Sequence, residues 1–121
     1  MGTLEIRRVA VIGAGQMGRG IAQVAATTGL TVVLSDITEA AAEGGKKTIA
    51  AQLGRLVEKG KLTEADRNSV LDRIVCAGQG EKLSDCQLAV EAVTEHFETK
   101  LAIFRAVDAA LPKDAILATN T

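Results

Sequence analysis

Four consecutive apolar residues, Val9-Ala10-Val11-Ile12, run straight into Gly13-Ala14-Gly15-Gln16-Met17-Gly18, and that junction leaves few folds open. A short apolar run stopped by glycine reads as a strand buried on both faces, as in a parallel sheet. The next stretch spaces Met17, Ile21, Val24 and Ala25 at helical intervals and stops at Gly29, a natural C-terminal cap. A glycine triplet in the pattern G-x-G-x-x-G is weak on its own. Placed directly after a buried strand and opening a helix, it gains a mechanism. Gly13 allows the tight turn, Gly15 lets the backbone approach a pyrophosphate, and Gly18 lets helix and strand pack closely. Free amides at the helix start, around Gln16 and Met17, then form an anion site that needs no lysine.

Thr31-Val32-Val33-Leu34 supplies a second buried strand and completes a βαβ unit whose crossover should be right-handed. The strand ends at Ser35-Asp36. Asp36 stands at about the spacing at which an acid receives the ribose hydroxyls of a bound dinucleotide. Its charge repels a 2′-phosphate, Ile37 follows it, and no arginine lies nearby in the sequence, so NAD is preferred over NADP.

Beyond this unit the pattern predicts a long helix from Glu39 to Lys59, with Ile49, Leu53, Leu56 and Val57 as its apolar stripe, ended by Gly60. Thr63 is suited to cap a second helix reaching about Arg73, with Val70, Leu71 and Ile74 inward. This pair is longer than a minimal crossover and reads as an insertion. Strands follow at Ile74–Ala77, at Leu88–Val93 interrupted by Glu91, and at Ala115–Ala118, with a turn of helix near Ser84–Cys86. A helix from about Phe97 to Leu111 carries Leu101, Phe104, Val107 and Leu111 on one side and is closed by Pro112. The alternation implies one α/β domain over 1–121, a Rossmann-type doubly wound fold with a mostly parallel sheet and a helical hairpin after the second strand.

Composition supports this and removes other classes. The chain has 121 residues and is 47% hydrophobic, nearly all of it Ala, Val, Leu and Ile, with Phe97 and Phe104 its only aromatics. That is too few aromatics for the stacking platforms of single-stranded nucleic-acid binders. A net charge of −1 adds nothing towards nucleic acid or a membrane surface. No segment approaches the eighteen or so apolar residues that span a bilayer, and no signal peptide is visible, so the expectation is a soluble, cytoplasmic protein. Cys76 and Cys86 have no second pair and only His96 beside them in composition, so no metal or redox motif can be built. Both read as buried packing residues.

With these residues placed, the chain resembles the N-terminal NAD-binding domain of the L-3-hydroxyacyl-CoA dehydrogenases, including the bacterial 3-hydroxybutyryl-CoA dehydrogenases. The resemblance runs from Arg8 to Thr121. It is carried by the glycine motif with Gly20-Ile21-Ala22-Gln23, Val32-Val33-Leu34-Ser35-Asp36 and Leu56-Val57-Glu58-Lys59-Gly60-Lys61-Leu62-Thr63. Glu91-Ala92-Val93 and the closing Ile116-Leu117-Ala118-Thr119-Asn120-Thr121 complete it. It implies that Asp36 is the ribose-binding acid, that Glu95 and Lys100 contact the nicotinamide side, and that Asn120 lies near the nicotinamide ribose. It also implies that Lys59 contacts coenzyme A. Lys47, Arg55 and Lys59 share one helical face, which suits phosphates, although such a face is more often merely solvated. Gln52 falls where relatives place a hydroxyl that touches coenzyme A.

The resemblance further implies hydride transfer between C3 of a 3-hydroxyacyl-CoA and the nicotinamide, with a histidine as base and a glutamate that orients it. Both are expected downstream of Thr121. His96 matches a position that is commonly asparagine, and a surface or capping role is expected for it. The 121 residues are therefore expected to bind NAD(H) without turning over an acyl-CoA substrate, as if cut from a longer polypeptide. An open strand edge at the fifth strand invites pairing with another chain and predicts a homodimer. Two alternatives stand beside this reading. One is the NAD-binding domain of another 3-hydroxy acid dehydrogenase, and the other is a non-catalytic NAD-binding or sensing module.

Overall fold

A computed structural model describes residues 5–92, 105, 107 and 109–119. Its elements, in chain order, are β1 (Arg8–Ile12), α1 (Gln16–Thr27), β2 (Thr31–Ser35), α2 (Glu39–Glu58), α3 (Glu64–Asp72), β3 (Ile74–Ala77), β4 (Leu88–Glu91) and β5 (Ile116–Thr119). The strands form one sheet in the order β3-β2-β1-β4-β5, every neighbouring pair parallel. The chain moves outward from β1 through β2 to β3, then returns to the other side of β1. That reversal opens a crevice at the carboxyl ends of β1 and β4.

The sheet is buried on both faces over its centre, which is why β1 and β2 read as continuous apolar runs. Val9, Val11, Val32, Leu34 and Ile74 face a core shared with Ala22, Ala26, Ile49, Leu53 and Val70 of the helices. Ala10, Ile12, Val33, Ala77 and Ala89 face a second core that includes Leu83, Cys86 and Val107. Arg105, Val107, Ala109 and Ala110 are helical, within the span expected for the helix before Pro112. The helical hairpin follows α1 and β2 as expected, with Thr38 and Thr63 capping α2 and α3 through side-chain oxygens that accept from Ala41 N and Asp66 N. Gly29 and Gly60, at φ of +104° and +73°, close α1 and α2 in the left-handed conformation. In each case the following residue donates back into the helix, Leu30 N to Ala25 O at 3.2 Å and Lys61 N to Leu56 O at 2.9 Å.

Four details differ from the sequence reading. The fourth strand runs Leu88–Glu91 rather than Leu88–Val93, and Glu91 pairs with Ile12 and Thr119 instead of interrupting it. Met17, Ile21 and Val24 do share a side of α1, but the buried side is Gly18, Ala22 and Ala26, and Met17 and Val24 are exposed. Small residues let α1 settle close onto β1 and β2, and that contact takes precedence over burying the larger side chains. The last strand runs Ile116–Thr119 rather than Ala115–Ala118, because Ile116 pairs with Leu88 and Thr119 with Glu91. Ser84–Cys86 is a turn, with Cys86 N donating to Leu83 O.

Candidate functional site

The crevice is built on the turn after β1. Gly13 has φ of +110°, a conformation that only glycine takes without strain, and its N–H donates to Ser35 O at 2.7 Å. This ties the start of the loop to the end of β2. Gly15 caps α1 in extended conformation with no side-chain hydrogen bond, and the first turn of α1 contains no acid. The amides there keep their donor capacity and the positive end of the helix dipole is not neutralised. A Cβ built on Gly15 meets nothing within 4 Å, so this glycine leaves open space where an anion would sit. Gly18 has the opposite surroundings. A Cβ there would lie 1.7 Å from Gly13 O, so the helix start and the turn are in direct backbone contact. Gly15, Gln16 and Met17 are exposed at the mouth and Gly18 is buried beneath them.

Asp36 lies at the tip of β2, partly buried, and both carboxylate oxygens are engaged. Oδ2 accepts from Ala14 N at 2.8 Å and Oδ1 from Ile37 N at 2.7 Å. The backbone of Asp36 is held too, its N–H donating to Ala77 O at 3.2 Å. The acid is thus fixed against the glycine loop, and each oxygen keeps a lone pair for a hydroxyl donor. Ser35, buried, donates from Oγ to Gly78 O at 2.9 Å and secures the loop after β3 to the same edge.

Three further residues shape this end; Gly45 and Arg19 were not singled out in the sequence, and Glu91 was read there as an interruption of its strand and as part of a family motif. Gly45 lies mid-helix in α2, where a Cβ would come within 2.9 Å of Ala14 Cβ and 3.1 Å of Ala14 O. Glycine there lets α2 rest on the cofactor loop. Its signal was available, since Gly44-Gly45 inside a helix costs about 1 kcal/mol per residue relative to alanine. Arg19 reaches back from α1 to donate from a guanidinium nitrogen to Ala14 O at 3.2 Å. Glu91 ends β4 at 1% exposure, paired across the sheet with Ile12 and Thr119.

The remaining site residues named from the sequence are spread more widely. Lys47, Arg55 and Lys59 line the exposed side of α2 and its C-cap, and Gln52 is exposed on the same helix. Because α2 meets the glycine loop at Gly45 and rises about 1.5 Å per residue, Lys59 lies about 21 Å along it from that contact and Arg55 about 15 Å, whereas Lys47 is two residues from it. Glu95, His96, Lys100 and Asn120 lie outside the described residues. Cys76 and Cys86 are buried free thiols. Burial, reinforced by Glu43, pushes the Cys76 thiol up to about 12, and burial also raises that of Cys86. Neither presents a thiolate at neutral pH.

Comparison with known proteins agrees with this geometry. The family described as "3-hydroxyacyl-CoA dehydrogenase, NAD binding domain" matches residues 8–121. A probable 3-hydroxybutyryl-CoA dehydrogenase of Bacillus subtilis is 42% identical over 118 residues, covering 98% of this chain and 41% of that protein. A 3-hydroxybutyryl-CoA dehydrogenase of Bradyrhizobium diazoefficiens is 44% identical over 116 residues, 96% of this chain and 40% of its own length. Among solved structures, the (S)-3-hydroxybutyryl-CoA dehydrogenase PaaH1 of Ralstonia eutropha superposes with a TM-score of 0.91 at 43% identity, over 97% of this chain and 41% of that one. The chain thus spans about 40% of the length of these relatives.

Proposed function

Because the chain belongs to the family of 3-hydroxyacyl-CoA dehydrogenase NAD-binding domains, we propose that it serves as the cofactor half of an enzyme interconverting 3-hydroxyacyl-CoA and 3-oxoacyl-CoA. The observation that carries the site assignment is the Asp36 carboxylate bonded to Ala14 N, which places an acid directly beside the open amides of α1. In this reading Gly15 and the amides from Gln16 onward would hold the pyrophosphate of NAD, and Asp36 would accept from the hydroxyls of its adenosine ribose. Gly13 and Gly18 shape the turn, and Met17 borders its mouth. Glu95, Lys100 and Asn120 serve the nicotinamide side. The bound NAD supplies the hydride acceptor, while this chain's residues bind and orient it.

Arg55 and Lys59 take phosphate groups of the acyl-CoA. Their support is exposure on a common side of α2. In this reading, their separation along α2 from the glycine loop suits the far end of a long substrate. The catalytic base and the residue that orients it are supplied by polypeptide of the kind the relatives carry outside the matched part. The enzyme works in the cytoplasm, in fatty acid metabolism. The open edge of β5 is the place where a second copy would add a strand. The 121 residues form one domain.

Titration of NADH fluorescence on the native chain and on Asp36→Ala tests the site. Binding should weaken at least tenfold, equivalent to about 1.4 kcal/mol. Equal affinity in the two proteins would remove Asp36 from the site.

A further inference from the structure

Arg19 is the only charged residue of α1, and its side chain turns back onto the glycine loop. Its side-chain bond runs from a terminal guanidinium nitrogen to Ala14 O at 3.2 Å. Among the described residues the ion pairs are Arg7 with Glu5 and Lys82 with Glu39, so this guanidinium has no carboxylate partner there. Its Nε is buried and, among the described residues, makes no hydrogen bond. Drawing a cation partly out of water towards a neutral carbonyl carries a cost. What the contact does for the turn is visible in how the polar groups there are used.

Gly13 N donates to Ser35 O, and Ala14 N donates to Asp36 Oδ2. Ala14 O accepts from the Arg19 side chain, and Gly15 O accepts from Arg19 N at 2.9 Å. The amides of Gly15, Gln16 and Met17 are left over. Gln16 and Met17 open the helix, where no intrahelical acceptor exists, and among the described residues none of the three donates to another backbone group. A peptide unit is planar and trans, so its C=O and N–H point in opposite directions. Ala14 O faces α2, since a Cβ on Gly45 would stand 3.1 Å from it. Holding that carbonyl in place therefore keeps the Gly15 N–H turned away from α2, where Gly15 is exposed. The absent side chain at Gly45 keeps the approach to the carbonyl clear for the guanidinium.

We propose that Arg19 is a positioning residue for the cofactor phosphates, acting through the Ala14–Gly15 peptide. Its hydrogen bond fixes that peptide and polarises it, so that the Gly15 amide is presented to the pyrophosphate already oriented. Hydrogen bonds in series strengthen one another, and here the first donor carries a charge. The guanidinium lies one peptide unit behind the amide, within about 10 Å of a phosphate bound there, so its charge adds to the positive end of the helix dipole. The proposal rests on the reading of this crevice as the NAD site. It adds a residue outside the glycine motif, one that touches the cofactor only through the backbone.

The test compares Arg19→Met, which removes donor and charge together, with Arg19→Lys, which keeps one charged donor of similar reach. NADH is titrated by fluorescence at low salt and at about 0.5 M salt, and adenosine by amide-shift NMR. Arg19→Met should bind NADH about tenfold more weakly, equivalent to about 1.4 kcal/mol. A deficit of about threefold should survive at the higher salt, because a fixed peptide is not screened as a distant charge is. Adenosine, which carries the ribose without the phosphates, should bind Arg19→Met and the native chain alike, whereas a general structural defect would weaken both ligands. Arg19→Lys should recover most of the NADH affinity. Native NADH affinity in Arg19→Met would overturn the proposal. So would a deficit that salt abolishes, equal weakening of NADH and adenosine, or Arg19→Lys no better than Arg19→Met. Should Arg19→Met not fold, Arg19→Ala, which lets water reach the carbonyl, takes its place. Asp36→Ala separates this proposal from the cofactor reading. Weakened NADH binding in Asp36→Ala with native binding in Arg19→Met removes Arg19 alone, and the reverse result removes Asp36 and leaves Arg19 in place. A native chain that does not bind NADH would overturn both.

Discussion

Replacing Gly15 and Gly18 by alanine, one at a time, should separate binding from folding within a single turn of chain. At Gly18 the added methyl would sit 1.7 Å from Gly13 O, 2.8 Å from Gly13 C and 3.5 Å from Val11 Cγ1. Ordinary contact needs more than 3 Å, and the obstacle is backbone, which cannot swing aside as a side chain can. α1 would have to lift from the turn by about 1.5 Å, breaking the packing of Ala22 and Ala26 on the sheet. Overpacking of this kind costs about 1–3 kcal/mol, and the upper end applies to a backbone clash. At Gly15 the methyl meets nothing within 4 Å and the φ of −74° suits alanine. Loss of a tolerated glycine cap and gain from a less flexible unfolded chain nearly cancel, leaving stability within about 0.5 kcal/mol. The methyl would instead occupy the space assigned to the pyrophosphate. Urea unfolding and NADH titration on both variants form the assay. Gly18→Ala should lose stability and Gly15→Ala should lose at least tenfold in NADH affinity. A Gly18→Ala protein as stable as the native chain, or a Gly15→Ala protein binding NADH normally, would refute the reasoning.

Other perturbations reach further from the turn. Ser35→Ala leaves the buried Gly78 carbonyl without its hydroxyl donor and should cost about 1–2 kcal/mol, read as a lower urea midpoint. The Cys76 thiol, raised from 9.0 to about 12 by burial and Glu43, binds its proton more tightly folded than unfolded. Between those values the native state holds more protons than the unfolded chain, so stability is full below pH 9 and falls as pH rises towards 12. Cys76→Ala should flatten that fall in melting curves, and an unchanged slope would show that other groups cause it.

How much could be read in advance depended on how local the physics was. The β1–α1–β2 unit, with Asp36 at the end of β2, was legible because strand, glycine turn and helix start follow one another within a few residues. Thr63 announced α3 for the same reason. The buried side of α1 was not legible. A search for large apolar residues finds Met17 and Val24, whereas close approach to the sheet selects Gly18, Ala22 and Ala26. Gly45 and Arg19 escaped because their partner, Ala14, is remote from Gly45 in sequence and offers Arg19 only a backbone carbonyl. The one-residue shift of β5 comes from pairing with β4, which no local pattern records.

The central claim is an NAD-selective site whose acid is Asp36, and parallel fluorescence titrations of the native chain with NADH and NADPH test it most directly. The account predicts NADH binding with NADPH at least tenfold weaker, because a 2′-phosphate would meet a carboxylate fixed by Ala14 N and Ile37 N. Equal binding of the two, or tighter binding of NADPH, would contradict it.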